Sequence, residues 1–215
     1  MIKRISAGLI LCATLLTGCT SAGNTEVSIL DLNRTTEITN NAEIPAVWTK
    51  GNPNAKIVLT EYSDFECPAC AGYFAIVENI SDEFKDDILF EFHHYPLPQH
   101  DNALIAAKAA EAAGVQGKFW EMSSLLFENQ SEWAIEKHPE ENFISYAEEL
   151  GLDVDQFKND ILSKQIKEKI SNDTKLGNQI PIMATPSFFI NGQLIEAPRG
   201  QEEFEKLLKS LVSNS

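Results

Sequence analysis

Basic residues are scarce in this 215-residue chain: Lys and Arg number 17 against 32 Asp and Glu, and the formal charge is −15. Nucleic-acid binding rests on Lys and Arg neutralising phosphates, so no nucleic-acid partner is expected. Docking on anionic lipid by charge is excluded for the same reason. The acidity reads as a solvated surface. Cysteine is scarce too, and four are too few for a disulfide scaffold. The apolar run from Ile5 stops at Leu16, short of the roughly 20 residues that span a bilayer. No internal repeat is visible. What remains is ordinary, with 43% hydrophobic and 23% charged residues. That composition excludes a disordered or collagen-like chain, and this length allows a sizeable core without staples.

The first residues read as an address. Lys3 and Arg4 precede the apolar run, the plan of a secretory signal peptide. Leu16-Thr17-Gly18-Cys19 resembles the bacterial lipobox. The resemblance implies cleavage after residue 18, diacylglycerol on Cys19 and anchoring in a lipid bilayer, where each buried CH₂ contributes about 0.8 kcal/mol. The competing readings are a membrane span and an ordinary signal peptide with a chance cysteine. Residues 19–44 are polar and lack a sustained period, so a flexible tether is expected, with a short ordered piece at Val27 to Leu32. Cys12 would be discarded and Cys19 alkylated. Cys67 and Cys70 would then be the remaining thiols, in a compartment that permits disulfides.

A folded domain is expected over 45–212. Ile57 to Tyr62 is apolar and β-branched after the turn-prone Gly51-Asn52-Pro53-Asn54, which predicts a buried strand. A helix follows to about Phe84. A second strand runs from Ile88 to Tyr95 and ends at Pro96 and Pro98. Residues about 100–178 read as a block of helices. The first is rich in Ala, with Lys108 and Glu111 marking its wet side. Phe143, Tyr146, Ala147 and Leu150 lie at i, i+3, i+4, i+7. Asp153 with Gln156 suggests an N-cap, and Glu136 to Glu141 a solvated loop and helix start. Asn191-Gly192 predicts a hairpin between Ser187–Ile190 and Gln193–Ile195, and Phe204, Leu207, Leu208 and Leu211 a final amphipathic helix. The ββα end cannot bury its apolar faces alone and must pack on the first βαβ unit.

The chemistry lies in Cys67-Pro68-Ala69-Cys70. A helix N-terminus presents partial positive charge and unpaired N–H groups, and both stabilise a thiolate on the first cysteine. Thiols so placed have pKa values of roughly 3.5–7.5. Pro68 lacks an N–H and suits the first turn. Cys70, one turn on, is near enough to close a disulfide. A zinc half-site is the first rival, but zinc takes four ligands and no second Cys pair exists. No metal is therefore expected. A structural disulfide is the second, but so small a loop restricts the unfolded chain little. Two incidental buried thiols are the third.

Three stretches carry a family resemblance. Glu61 to Cys70, with the order Glu-Tyr-Ser-Asp-Phe-Glu-Cys-Pro-Ala-Cys, resembles the approach to the active site of the DsbA-like thioredoxin-fold proteins. So do His100-Asp101-Asn102-Ala103, followed by Gln116-Gly117-Lys118-Phe119-Trp120, and Ala184-Thr185-Pro186-Ser187-Phe188-Phe189-Ile190-Asn191-Gly192. They occur in family order across residues 45–212. The resemblance implies an α/β thioredoxin fold, βαβ plus ββα, with an inserted helical subdomain. It implies a thiol:disulfide oxidoreductase with no cofactor beyond the Cys67–Cys70 disulfide. It makes Cys67 the nucleophile, Cys70 the resolving cysteine, and Pro68 and Ala69 the dipeptide that tunes potential. DsbA has Pro-His there, and Ala69 adds neither a hydrogen bond nor charge. Pro186 becomes a cis-proline facing the disulfide, and Thr185 offers its backbone to an extended substrate. Exported protein thiols or disulfides are the implied clients, and a membrane partner of the DsbB or VKOR type the implied source of oxidising power. A reductase or isomerase, and a non-catalytic peptide-binding or chaperone-like lipoprotein, remain as alternatives.

Glu61 shares a strand face with Ile57 and Leu59 by period two. Burial there would raise its pKa and let it relay the proton of Cys70; the other reading is a strand-end acid reaching solvent. His93 and His94 either tune a thiolate or pair with Glu61, or are ordinary strand-end histidines. His100 reads as a packing or capping residue, and Trp48, Trp120 and Trp133 as core or edge aromatics.

Overall fold

The computed structural model describes residue 30, residues 34–37 and residues 43–214. Within them five strands form one sheet in the order β1-β3-β2-β4-β5. The strands are β1 (Trp48–Gly51), β2 (Ile57–Ser63), β3 (Ile88–His94), β4 (Ser187–Ile190) and β5 (Gln193–Ile195). β2 and β3 run parallel, joined by helix α1 (Pro68–Glu83), and the other neighbours pair antiparallel. A parallel pair requires such a crossover. The hairpin β4–β5 turns at Asn191 and Gly192 with φ of 50° and 77°, left-handed values that this dipeptide tolerates. β1 was not expected: its four residues carry no apolar run, and pairing with Leu89–Phe92 of β3 makes it a strand.

One sheet face carries Leu59, Glu61 and Ser63 beside Phe90, Phe92 and His94, all buried. α1 and α8 (Gln201–Val212) pack together, and Tyr73 of α1 and Phe204 of α8 both meet Phe188 on this face. The opposite face is more open; there Thr60 donates to Glu91 at 2.9 Å and Tyr62 stacks on His93 at 4.8 Å.

Six helices separate β3 from β4: α2 (Ala103–Val115), α3 (Phe119–Glu128), α4 (Gln130–Trp133), α5 (Glu140–Glu149), α6 (Val154–Asp160) and α7 (Lys164–Gly177). Ala106, Ala109, Ala110 and Ala113 of α2 are fully buried, and these small side chains let α3, α5, α6 and α7 pack around it. Gly114 is required by the same crowding, because a Cβ there would lie 2.5 Å from the Trp48 ring. Asp153 caps α6 by accepting from the Gln156 backbone N–H at 2.9 Å, and Ser163 caps α7. The chain thus has the thioredoxin fold, βαβ plus ββα, with helices inserted.

Three expectations are corrected. Glu111 does not mark a wet side: it is fully buried, with Oε1 2.8 Å from His94 Nε2 and accepting from Trp48 Nε1 at 2.9 Å. Glu140 is buried as well, although Glu136 and Glu141 of the same stretch are exposed. Within the expected tether, residues 34–37 lie on the domain. Thr36 bridges to Ser163, donating its N–H to Leu162 and accepting from Lys164 N–H, and Asn159 donates to the Glu37 carbonyl. Extended backbone next to the open α6–α7 corner gains hydrogen bonds that polarity alone does not forecast. Cys19 and all of Val27 to Leu32 except the buried Leu30 lie outside the described residues.

Candidate active site

The site forms where β2 ends and α1 begins. Cys67 is the N-cap of α1, with extended φ and ψ of −72° and 120°, and Pro68 opens the helix. The Cys67 N–H donates to the Asp64 carbonyl at 3.1 Å. Gln130 of α4 donates to the carbonyls of Phe65 at 2.6 Å and Cys67 at 3.0 Å, tying the helical block to this loop. Both cysteines are buried free thiols. The Thr185–Pro186 peptide bond is cis, and it places the Thr185 carbonyl 3.3 Å from Cys67 Sγ. Cys67, Cys70, Thr185 and Pro186, with Pro68 and Ala69 in the first turn of α1, therefore occupy one place.

The two thiols are driven apart in acidity. Cys67 is lowered to about 5, first by the S–H of Cys70, then by Thr185 and by the backbone N–H groups of Cys70 and Ala69, which together overcome its burial. Cys70 is pushed far upward, first by burial, then by hydrogen bonding to Cys67 and by the Glu61 charge. These shifts favour a thiolate on Cys67 and a thiol on Cys70, whose sulfur accepts from the Asp64 N–H at 3.5 Å.

Glu61 is buried in the middle of the sheet, and burial raises it to about 7; Ser63 pulls the other way and the Glu78 charge adds to the rise. Ser63, whose hydroxyl is buried, also lowers Cys70.

Of the two readings of His93 and His94, a pair with Glu61 is not what forms: both meet other acids. His93 Nδ1 lies 3.3 Å from Asp173 Oδ1, on the open face. His94 is buried against Glu111, which lies near Lys169 of α7. The histidine that does reach the site is His100. Its Nδ1 lies 2.7 Å from Oδ2 of the buried Asp64, which also accepts from the N–H groups of Leu97 and Glu66, each at 2.8 Å. Burial opposes protonation of His100, but Asp64, the Cys67 thiolate and Glu66 outweigh it and raise its pKa. His100 is thus an ion-pair partner rather than a capping residue. Asp64 and His100 stood within the resembling stretches, yet nothing local joins residues 36 positions apart; Gln130 had no signal at all. Among the described residues, no three His, Cys, Asp or Glu are grouped to hold a metal, and no helix is long and apolar enough to cross a membrane.

Comparison with known proteins agrees with this geometry. The thioredoxin family model matches residues 45–210. The sodium/proton antiporter NhaA 1 of Mycolicibacterium gilvum is 36% identical over 154 residues, 69% of this chain and 24% of that protein. NhaA of Herminiimonas arsenicoxydans is 38% identical over 144 residues, 67% of this chain and 22% of that protein. The chain thus spans about a quarter of these relatives' length. Among solved structures, Wolbachia pipientis alpha-DsbA1 aligns with a TM-score of 0.70 at 23% identity, covering 81% of this chain and 94% of that one. BdbD from Bacillus subtilis aligns at 0.69 and 20%, covering 83% and 98%. A cis-proline loop against a helix-capping cysteine, on a sheet matched by these structures and by the family model, leads to one assignment: the chain belongs to the thioredoxin family.

Proposed function

We propose that the protein is an exported, lipid-anchored thiol:disulfide oxidoreductase that oxidises exported proteins. The observation that carries the reading is the placement of Cys67 at the N-terminus of α1 with Sγ 3.3 Å from the Thr185 carbonyl of the cis-proline loop, a setting that lowers its pKa to about 5. A stabilised thiolate stabilises the reduced form and makes the disulfide a better oxidant. A thiol near this value lies between the roughly 3.5 of a strong oxidant and the roughly 7 of a reductant.

In the oxidising direction a client thiolate attacks Cys67 Sγ of the Cys67–Cys70 disulfide. Cys70 leaves as a thiolate and is protonated, with Glu61 as the proton donor. A second client thiolate then attacks the client sulfur of the mixed disulfide, and Cys67 leaves as its stable thiolate. The client gains a disulfide and the site takes up two electrons. A membrane partner of the DsbB or VKOR type would reoxidise the pair. The Thr185 backbone beside Cys67 is placed to align an extended client strand. The antiporter names belong to proteins that this chain matches over a quarter of their length, and transport forms no part of this reading.

The test is the equilibrium reduction potential of Cys67–Cys70 against glutathione, for which we expect a value more oxidising than about −200 mV. A value near −270 mV would make the dithiol the working form and the protein a reductase. A Cys70→Ser variant should trap disulfide-linked clients; if it traps none while Cys67→Ser keeps full biological activity, a binding role replaces catalysis. The anchor is tested separately, by incorporation of a labelled fatty acid that Cys19→Ala abolishes.

A further inference from the structure

A small cavity of about 20 Å³ lies behind Glu61, between the sheet and α1. Such a volume admits about one water molecule, provided polar groups are there to hold it. Glu61, Glu78 of α1 and Ser123 of α3 supply them, and apolar side chains, Phe90, Phe92 and Trp120 among them, make the remaining wall. Glu78 lies on the sheet-facing stripe of α1 with Phe74 and Val77, at the i, i+3, i+4 spacing of one helix face. It differs from Glu61 in one decisive respect. Glu61 is 5% exposed, whereas the Glu78 side chain is 32% exposed and ion-paired to Lys50 of β1. The cavity wall therefore carries one buried carboxyl and one that reaches solvent.

Glu61 needs such an outlet. It sits on β2, flanked by β3 and β4, beneath α1. On the active-site side it meets Ser63 and Cys70; on the cavity side, Glu78, with Lys50 beyond. The walls from β3 and from the Trp120 ring of α3 bring no titratable group.

We propose that Glu78 is the outer station of a proton path serving Cys70: from Cys70 to Glu61, to a water in this cavity, and to Glu78 at the surface. The inference rests on the reading of Cys67–Cys70 as an exchange centre. When Cys70 resolves a mixed disulfide, its S–H proton passes to the Glu61 carboxylate and the new thiolate attacks Cys67 Sγ. The S–S bond between Cys67 and its client breaks, and the client sulfur leaves as a thiolate with that electron pair. The site is oxidised and the client reduced, by two electrons. Glu61 is left protonated and discharges through the water to Glu78. In the oxidising direction the same proton runs inward and reprotonates Cys70.

The experiment uses the reduced full-length protein and glutathione disulfide, with acid quenching and mass detection of the Cys67–glutathione adduct from pH 5 to 9. Glu61→Gln should slow resolution of the adduct by about 10²-fold, the lower end for a direct acid–base group. Glu78→Gln should lower the high-pH plateau by a smaller factor, on the order of three- to tenfold. Lys50→Met removes the same ion pair but keeps the carboxylate, so it should leave the plateau in place. An unchanged plateau in Glu78→Gln, even with a displaced inflection, overturns the proposal. So does an equal fall in Glu78→Gln and Lys50→Met, which would mark a structural pair. Failure of the adduct to form in the wild-type protein would instead defeat the exchange reading itself.

Discussion

Replacing Glu61 with Gln should stabilise the reduced protein, and by an amount that depends on pH. Glu61 is raised from 4.5 to about 7, chiefly because burial penalises its charge. In the unfolded chain it ionises near 4.5, while in the folded chain it holds its proton until about 7. Between these values the folded state binds the extra proton, so stability falls as pH rises through the window and is level beyond it. A displacement of that size corresponds to about 3 kcal/mol. Glu61→Gln keeps the shape and removes the charge. Its advantage over wild type should be near zero at pH 4, grow through pH 5 and 6, and approach about 3 kcal/mol at pH 8. Urea unfolding of both reduced proteins at each pH gives the difference, in which other titrating groups largely cancel. A difference that is the same at pH 4 and pH 8 would refute the reasoning, since it would place Glu61 in water in the folded state.

His100→Ala should destabilise the fold by about 1–3 kcal/mol, because Asp64 is buried and loses one of three donors. It should also move the Cys67 thiolate titration, followed at 240 nm, upward; an unmoved midpoint would separate His100 from the site. Glu111→Ala should cost about 3–5 kcal/mol by urea unfolding, since it strips the partner from buried His94 and from half-buried Trp48. Glu111→Gln should cost less, and a loss for Glu111→Ala below about 1 kcal/mol would fit an exposed acid instead. Gly114→Ala should cost about 1–3 kcal/mol and shift tryptophan emission, because its Cβ meets the Trp48 ring stacked on Phe119. An unchanged spectrum would argue that the ring has room to move.

The elements were legible wherever local patterning sufficed. The apolar Ile57–Tyr62 strand, the Asn191-Gly192 turn and the Asp153 cap depend on neighbours within a few residues. β1 was not legible, because four residues become a strand only through the partner that pairs with them. Glu111 misled for a related reason. A Glu at helical spacing beside Lys108 reads as a wet face, but Trp48 and His94, brought from β1 and β3, provide the hydrogen bonds that let it be buried.

By itself, the sequence determined the chemistry of the site. Two cysteines one turn apart, with proline between them at a helix start, lower the pKa of the first thiol largely by local means, the unpaired N–H groups of the first turn and the short reach from Cys70 to Cys67, whereas the rise of Cys70 comes first from burial by the rest of the fold. Only the tertiary structure decided which charged groups surround that pair. His100 and not His93 or His94 reaches Asp64, Gln130 ties down the loop, and Glu61 shares a cavity with Glu78. These groups come from separate elements, and their pairing is settled by how buried charges find hydrogen-bonding partners as the helices close over the sheet, a choice no local pattern encodes.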